Sequence, residues 1–218
     1  MEGNTLLGER SRYQLGCSKP LRKQLWQQTV QAKIANQAAN LKTLVQVENR
    51  NMLAWVGQVR SDDADNLEAR AAAYYWKNIF PEFPEFVRGR FEEPPNNLLN
   101  YGYAILRAVV ARSLVATGLL PSVGIHHHNK YNAYCLADDI MEPYRPLVDG
   151  IVRGMITSYD DIEELTVEMK RDLLSIPTTD VFISGHIRPL MVAVDQTTTS
   201  LFKCFSGELN RLIYPEIS

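Results

Sequence analysis

Apolar residues recur at helical spacing along nearly the whole chain, and no segment keeps strict apolar/polar alternation over several residues. No Asn-Gly or Asp-Gly pair joins two strand-like runs, so the pattern predicts an all-α fold. A first helix begins after Pro20 and carries Leu25, Trp26, Val30, Ile34 and Leu41 on one side, with Arg22, Lys23 and Lys33 on the other. A second covers roughly residues 44–59. Ser61, Asp62 and Asp63 then offer caps to a third that reaches Phe80 and is stopped by Pro81 and Pro84. Asn96 or Asn97 caps the fourth, whose apolar residues run from Leu98 to Val115 before Gly118 supplies the stop. A fifth begins near Asp138, and two more cover 161–174 and 187–205, separated by the turn-prone Ile176-Pro177-Thr178-Thr179. The chain reads as one helical domain over 1–218: a leading segment 1–19, a core 20–155, and C-terminal helices with a tail over 156–218.

With 218 residues, 45% hydrophobic and 22% charged, the chain can bury a full core. No run approaches the roughly eighteen consecutive apolar residues of a membrane helix, and residues 1–20 lack the apolar stretch of a secretion signal. No membrane partner and a cytoplasmic address are therefore expected. Cys17, Cys135 and Cys204 are far apart and odd in number, as free thiols would be. The net charge of −2 argues against a nucleic-acid partner in bulk, but residues 9–42 hold seven Lys/Arg and only Glu9 as acid. Such a stripe follows a phosphate backbone, or is a solvated helix face.

Three places carry candidate chemistry. Glu68 is followed at one-turn intervals by Ala72, Tyr75 and Ile79, so its carboxylate is expected half-buried. It then needs a cation, an arginine or a raised pKa, unless it simply meets the dipole of a helix start. His126, His127 and His128 are three of the chain's four histidines, consecutive in a loop; at most one points at a given ion, and a structural role is equally open. In Leu136–Asp149, a helix would place Leu136, Ile140, Tyr144, Leu147 and Ile151 in one stripe, with Asp138, Asp139 and Glu142 together opposite. Pro143 and Pro146 threaten that helix with a kink. The acid patch either captures a cation or is solvated acid at a helix start. Two carboxylates and an imidazole suit Mg²⁺ or Mn²⁺ better than structural zinc. No Glu-x-x-His, His-Asp or His-Glu-x-x-His pattern offers a rival site.

Several blocks together carry a family resemblance: Leu25-Trp26-Gln27-Gln28 with Lys33-Ile34-Ala35-Asn36-Gln37, Asp65-Asn66-Leu67-Glu68-Ala69-Arg70-Ala71-Ala72, Leu99-Asn100-Tyr101-Gly102-Tyr103-Ala104-Ile105-Leu106, Gly118-Leu119 through Gly124-Ile125-His126-His127, and Asp138 to Asp149. In this order, over roughly residues 20–150, they resemble the helical catalytic domain of CRISPR-associated protein one, the integrase that inserts new spacers, and most closely its type II members.

The resemblance implies metal ligands at Glu68, His127 and Glu142, with Asp139 as a supporting acid. His127 is chosen because the family histidine stands three positions after the glycine equivalent to Gly124. His126 and His128 are then packing or DNA-facing residues. The implied reaction joins the 3′-hydroxyl of a short donor duplex to a phosphate of CRISPR repeat DNA, aided by Mg²⁺ or Mn²⁺, with DNA cleavage when water replaces the hydroxyl. Arg22, Lys23, Lys33, Lys130 and Arg145 would position phosphates, and Tyr101 would stack on a splayed base. Implied partners are a second copy of the chain and a dimer of CRISPR-associated protein two. Family members usually carry a β-rich domain that contributes to dimerisation before the segment resembling Gly3-Asn4-Thr5, so a truncated chain is expected. The rival readings are a stand-alone metal-dependent nuclease and a non-enzymatic helical scaffold that binds DNA or protein.

Overall fold

A computed structural model describes residues 6–90 and 93–217, so the Gly3-Asn4-Thr5 segment lies outside the described residues. The fold is mostly helical, as expected: α1 (Leu7–Leu15), α2 (Lys19–Leu44), α3 (Arg50–Gln58), α4 (Leu67–Ile79), α5 (Asn96–Thr117), α6 (Cys135–Met141), α7 (Arg145–Ser158), α8 (Val167–Leu174) and α9 (Leu190–Ser206). Among the described residues one antiparallel hairpin interrupts it, β1 (Asp180–Ile183) and β2 (His186–Pro189). None of the helices among the described residues is long and apolar enough to cross a membrane.

Helix α2 is the axis of the fold. Ser18 caps it by accepting the Leu21 N–H, and Pro20 sits in its first turn, where a missing donor costs nothing. Leu25, Val30, Ile34, Ala38 and Leu41 are fully buried, and so, less expectedly, are Thr29, Asn36, Gln37 and Asn40. Two of these amides tie α2 to the α6–α7 junction. Asn36 donates to the carbonyls of Pro143 (2.8 Å) and Pro215 (3.0 Å), and Asn40 to that of Pro146 (2.6 Å).

The kink expected at the prolines is present. The helix stops at Met141, passes through a tight 3₁₀ turn at Glu142–Tyr144, and restarts at Arg145 with Pro146 in its first turn. The expected stripe therefore holds only as far as Leu136, Ile140 and Tyr144. Beyond the turn the buried positions are Val148 and Val152, while Leu147 and Ile151 are partly exposed. Against this face α5 presents Gly102, where a Cβ would stand 2.6 Å from Val148 Cγ1, so only glycine lets the two helices approach this closely.

Several boundaries differ from the pattern's prediction. The leading segment forms α1, whose buried Gln14 donates to the carbonyls of Leu120 and Val123 and accepts the Leu120 N–H. The run over 44–59 is helical only from Arg50, because Gln46 adopts a positive φ of 55°. Asn96 and Asn97 do not cap α5; Asn96 turns to Arg88, Gly89 and Val87, and Asn97 donates to the Ile162 carbonyl. Gly118 does end that helix, at φ 83°. Helix α8 starts at Val167 rather than 161, where Thr166 accepts the Met169 N–H as its cap. The hairpin takes residues 187–189 from the last expected helix, turning through Ser184 and Gly185 at φ 52° and 80°.

Candidate metal centre

Asp139 organises the histidine loop. Its side chain is fully buried; Oδ2 accepts the N–H groups of Ile125 (2.7 Å) and His126 (3.0 Å), and Oδ1 that of His127 (3.2 Å). The same Oδ1 lies 2.5 Å from His127 Nδ1. Three amides and a ring nitrogen offset the cost of burying this carboxylate. The fit needs Gly124, since a Cβ there would stand 2.7 Å from Asp139 Oδ2. The contact with Asp139 raises the His127 pKa, outweighing partial burial, and the charges of Glu142 and Glu68 add to it. His126 instead stacks on Trp26, ring centroids 4.1 Å apart, with Nδ1 3.6 Å from Asp62. His128 is exposed and lines the large cavity described below.

Glu68 stands in the first turn of α4. The start of that helix is held by Asp63, whose carboxylate accepts the N–H groups of Leu67 and Glu68 at 2.9 Å each. Glu142 opens the 3₁₀ turn between α6 and α7. The two glutamates, 74 positions apart, meet at one cation: Lys33 Nζ is 2.6 Å from Glu68 Oε1 and 2.6 Å from Glu142 Oε2. Arg145 Nε adds a third contact, 2.9 Å from Glu142 Oε1. Burial alone would raise the Glu142 pKa, but Arg145 and Lys33 overcome it and hold it low. Burial likewise acts to lower that of Lys33, and Glu142 and Glu68 reverse it, leaving the ammonium strongly charged.

Two expectations are corrected here. Lys33 does not lie on an exposed basic face; its side chain is only 12% exposed and is committed to the two glutamates. Nor do Asp138, Asp139 and Glu142 pool their charge. Asp138 pairs with Arg107 (2.8 Å) and Asn132, Asp139 with the histidine loop, and Glu142 with Lys33 and Arg145, so the repulsion inferred from the helical wheel is relieved separately at each acid.

Among the described residues, no three His, Cys, Asp or Glu side chains stand grouped to hold an ion as they are. Glu68 and Glu142 converge on the Lys33 ammonium, while His127 turns Nδ1 to Asp139. The donor types still fit a hard divalent cation. The ammonium itself shows that a positive charge is accommodated between the carboxylates.

Beside this cluster opens a cavity of about 1300 Å³, whose wall includes His127, Glu142, Arg88, Arg90, Arg107, Arg112 and Arg145. Sequence reading missed Arg88, Arg90, Arg107 and Arg112. Arg107 and Arg112 are the charged residues of the otherwise uncharged α5, which was the available signal. Tyr101 does not line this cavity and is partly buried against the apolar core. Its neighbour Tyr103 lines it instead, with Arg145 and Arg88 over its ring at 4.6 and 5.0 Å. Lys130 is exposed beside Tyr131, Arg22 reaches the Gln14 carbonyl at 3.5 Å, and Lys23 pairs with Asp62 at 3.0 Å. A second, smaller cavity of about 180 Å³ adjoins it, lined by Lys33, Gln37, Trp76, Arg88, Tyr103, Glu142, Arg145 and Asp149. Burial pushes the Asp149 pKa up to about 7, against the pull of the Tyr103 and Tyr75 hydroxyls that donate to it.

Fold and site together define a helical domain with an acid-and-histidine centre at the rim of an arginine-lined cavity. The family model described as CRISPR associated protein Cas1 matches residues 2–165, and the chain belongs to that family. It is 39% identical over 193 residues to the CRISPR-associated endonuclease Cas1 of Neisseria meningitidis serogroup C (strain 8013), covering 86% of this chain and 61% of that protein. It is 34% identical over 139 residues to a CRISPR-associated endonuclease Cas1 of Pyrobaculum aerophilum, covering 62% and 46%. The chain thus spans about half to three fifths of the length of these relatives. Among solved structures, it superposes on a casposase bound to integration product with a TM-score of 0.78 at 18% identity, covering 97% of this chain and 72% of that one. A Cas1 protein from Thermotoga maritima gives 0.73 at 18% identity, covering 97% and 73%.

Proposed function

We propose that this chain is the catalytic lobe of a DNA integrase that joins the 3′-hydroxyl of a short donor duplex to a phosphate of CRISPR repeat DNA. The observation that carries this reading is the meeting of Glu68 and Glu142 on one cation beside His127, at the edge of an arginine-lined cavity. Glu68, His127 and Glu142 are the proposed ligands of a divalent ion, Mg²⁺ or Mn²⁺. When bound, that ion supplies activation of the attacking hydroxyl and stabilisation of the charge that develops on the phosphate.

The chain's own residues do the rest. Asp139 fixes the ring of His127, leaving Nε2 for coordination. Arg107, Arg112 and Arg145 offer donors to phosphate oxygens. In the joining step a bond forms from the donor 3′-oxygen to phosphorus, and the bond to the repeat strand's 3′-oxygen breaks. The proton of the attacking hydroxyl is lost to solvent and the leaving oxygen gains one. With water as nucleophile the same displacement cuts DNA. A second copy of the chain and a dimer of CRISPR-associated protein two are the proposed partners; in a solved Cas6-RT-Cas1--Cas2 complex, 27% of one chain superposes on 97% of this one, with a TM-score of 0.72 at 22% identity.

Donor and repeat oligonucleotides with Mn²⁺ test the reading. Joined strands that vanish in Glu142→Ala are expected. Cleavage with no joined product would point instead to a stand-alone nuclease, and neither reaction to a helical scaffold.

A further inference from the structure

Lys33 makes contacts that a surface lysine does not. Its ammonium is held by two carboxylates from different parts of the chain at 2.6 Å each, and its side chain is 12% exposed. It therefore fills the position between Glu68 and Glu142 that the proposed ligand set would give to a divalent ion. An ammonium and a divalent ion cannot share that position, since both take the same oxygens and repel one another.

A buried acceptor and a cavity lie beside the ammonium. Gln37 lies one turn further along α2, four residues on, which places its side chain next to that of Lys33 on the helix surface. Gln37 is buried, and its Oε1 has no hydrogen-bond partner among the described residues. A buried carbonyl-type acceptor without a partner costs free energy until a donor reaches it. Both residues line the cavity of about 180 Å³, whose wall also carries Asp149 as the acid facing Arg88 and Arg145. The lysine stem is flexible enough to turn within it.

We propose that Lys33 is a resident counter-cation with two stations: between Glu68 and Glu142 in the metal-free protein, and in the smaller cavity against Gln37 when a divalent ion is bound. It is a positioning residue. It holds the two ligands together before the ion arrives and sets the ion's affinity by competing for them. This holds only if Glu68 and Glu142 are metal ligands, as proposed above.

The test is calorimetric titration of Mn²⁺ into the chain and into Lys33→Met, Gln37→Leu and Glu142→Gln, with melting measured in EDTA and in Mn²⁺. Lys33→Met should bind Mn²⁺ about tenfold or more tightly than the parent, because the competitor is gone. It should melt lower in EDTA and gain more than the parent from Mn²⁺. Gln37→Leu should bind Mn²⁺ more weakly. A lysine with a purely structural role would lower the melting temperature without tightening Mn²⁺ binding, and unchanged or weaker affinity in Lys33→Met overturns the proposal. Equal affinity in Gln37→Leu and the parent overturns the second station. Should the variants not fold, the Lys33 Nζ resonance of ¹⁵N-lysine-labelled parent protein decides: it shifts on saturation with Mg²⁺, and a resonance that stays in place is the contrary result. The two layers separate cleanly. If Glu142→Gln binds Mn²⁺ as the parent does, ligand assignment and lysine proposal both fall. If Glu142→Gln abolishes binding while Lys33→Met leaves it unaltered, only the lysine proposal falls.

Discussion

His127 Nδ1 lies 2.5 Å from Asp139 Oδ1, and the same carboxylate gathers the N–H groups of residues 125, 126 and 127. One buried acid thus fixes both the ring and the loop that carries it. Replacing Asp139 by Ala leaves three amides and a ring nitrogen without their acceptor, at an expected cost of about 3–5 kcal/mol. Urea unfolding of Asp139→Ala in EDTA measures it; a loss below about 1 kcal/mol would show that the loop does not depend on this acid.

The same contact fixes a pH dependence. Asp139 raises the His127 pKa above its ordinary value of 6.5, so the protonated ring persists to higher pH than usual. A protonated imidazole cannot bind a metal, so Mn²⁺ affinity should fall as pH is lowered, beginning above 6.5. In Asp139→Asn the fall should begin at lower pH. Titrations from pH 5.5 to 8.5 read both, and coincident profiles for parent and variant contradict the coupling.

How much of this centre was legible before the structure depends on the residue. Glu68 stood out because an apolar row on its helix face predicts a carboxylate in need of a cation, and its partner is one. That the cation is Lys33 was hidden: the helical wheel puts Lys33 with Arg22 and Lys23, and only the packing of α4 and the α6–α7 junction around α2 buries it. Asp138 and Asp139 are adjacent acids with opposite fates, one paired with an arginine and the other enclosed by a loop, because consecutive helical residues point about 100° apart. The long apolar helix α5 and its Gly118 stop were readable from local signals alone. The hairpin was missed because Ser184-Gly185, not Asn-Gly or Asp-Gly, makes its turn.

Asp149 offers a test away from the proposed ligands. Its pKa is about 7 in the folded chain against an ordinary 3.8, chiefly from burial. A raised carboxyl pKa stabilises the fold below 3.8, and that contribution is lost as pH rises through 7. Asp149→Asn, which keeps hydrogen-bonding capacity toward Tyr75 and Tyr103, should therefore gain stability relative to the parent as pH increases from 4 to 8, by on the order of 3 kcal/mol. Melting curves across that range check it; a constant difference is the contrary outcome.

Arg112 lines the large cavity from α5. If the cavity holds a phosphate backbone, Arg112→Ala should weaken duplex binding for every sequence alike and lower the slope of log affinity against log salt by about 1. Fluorescence anisotropy at several salt concentrations gives the slope. An unaltered slope places the backbone elsewhere.

If Glu68, His127 and Glu142 close on one divalent ion, anomalous diffraction from crystals soaked in Mn²⁺ should give a single strong peak bonded to both glutamates and to His127 Nε2, with the Lys33 ammonium withdrawn from between them. A peak held by other residues, or glutamates still clasping Lys33 at saturating Mn²⁺, would contradict this.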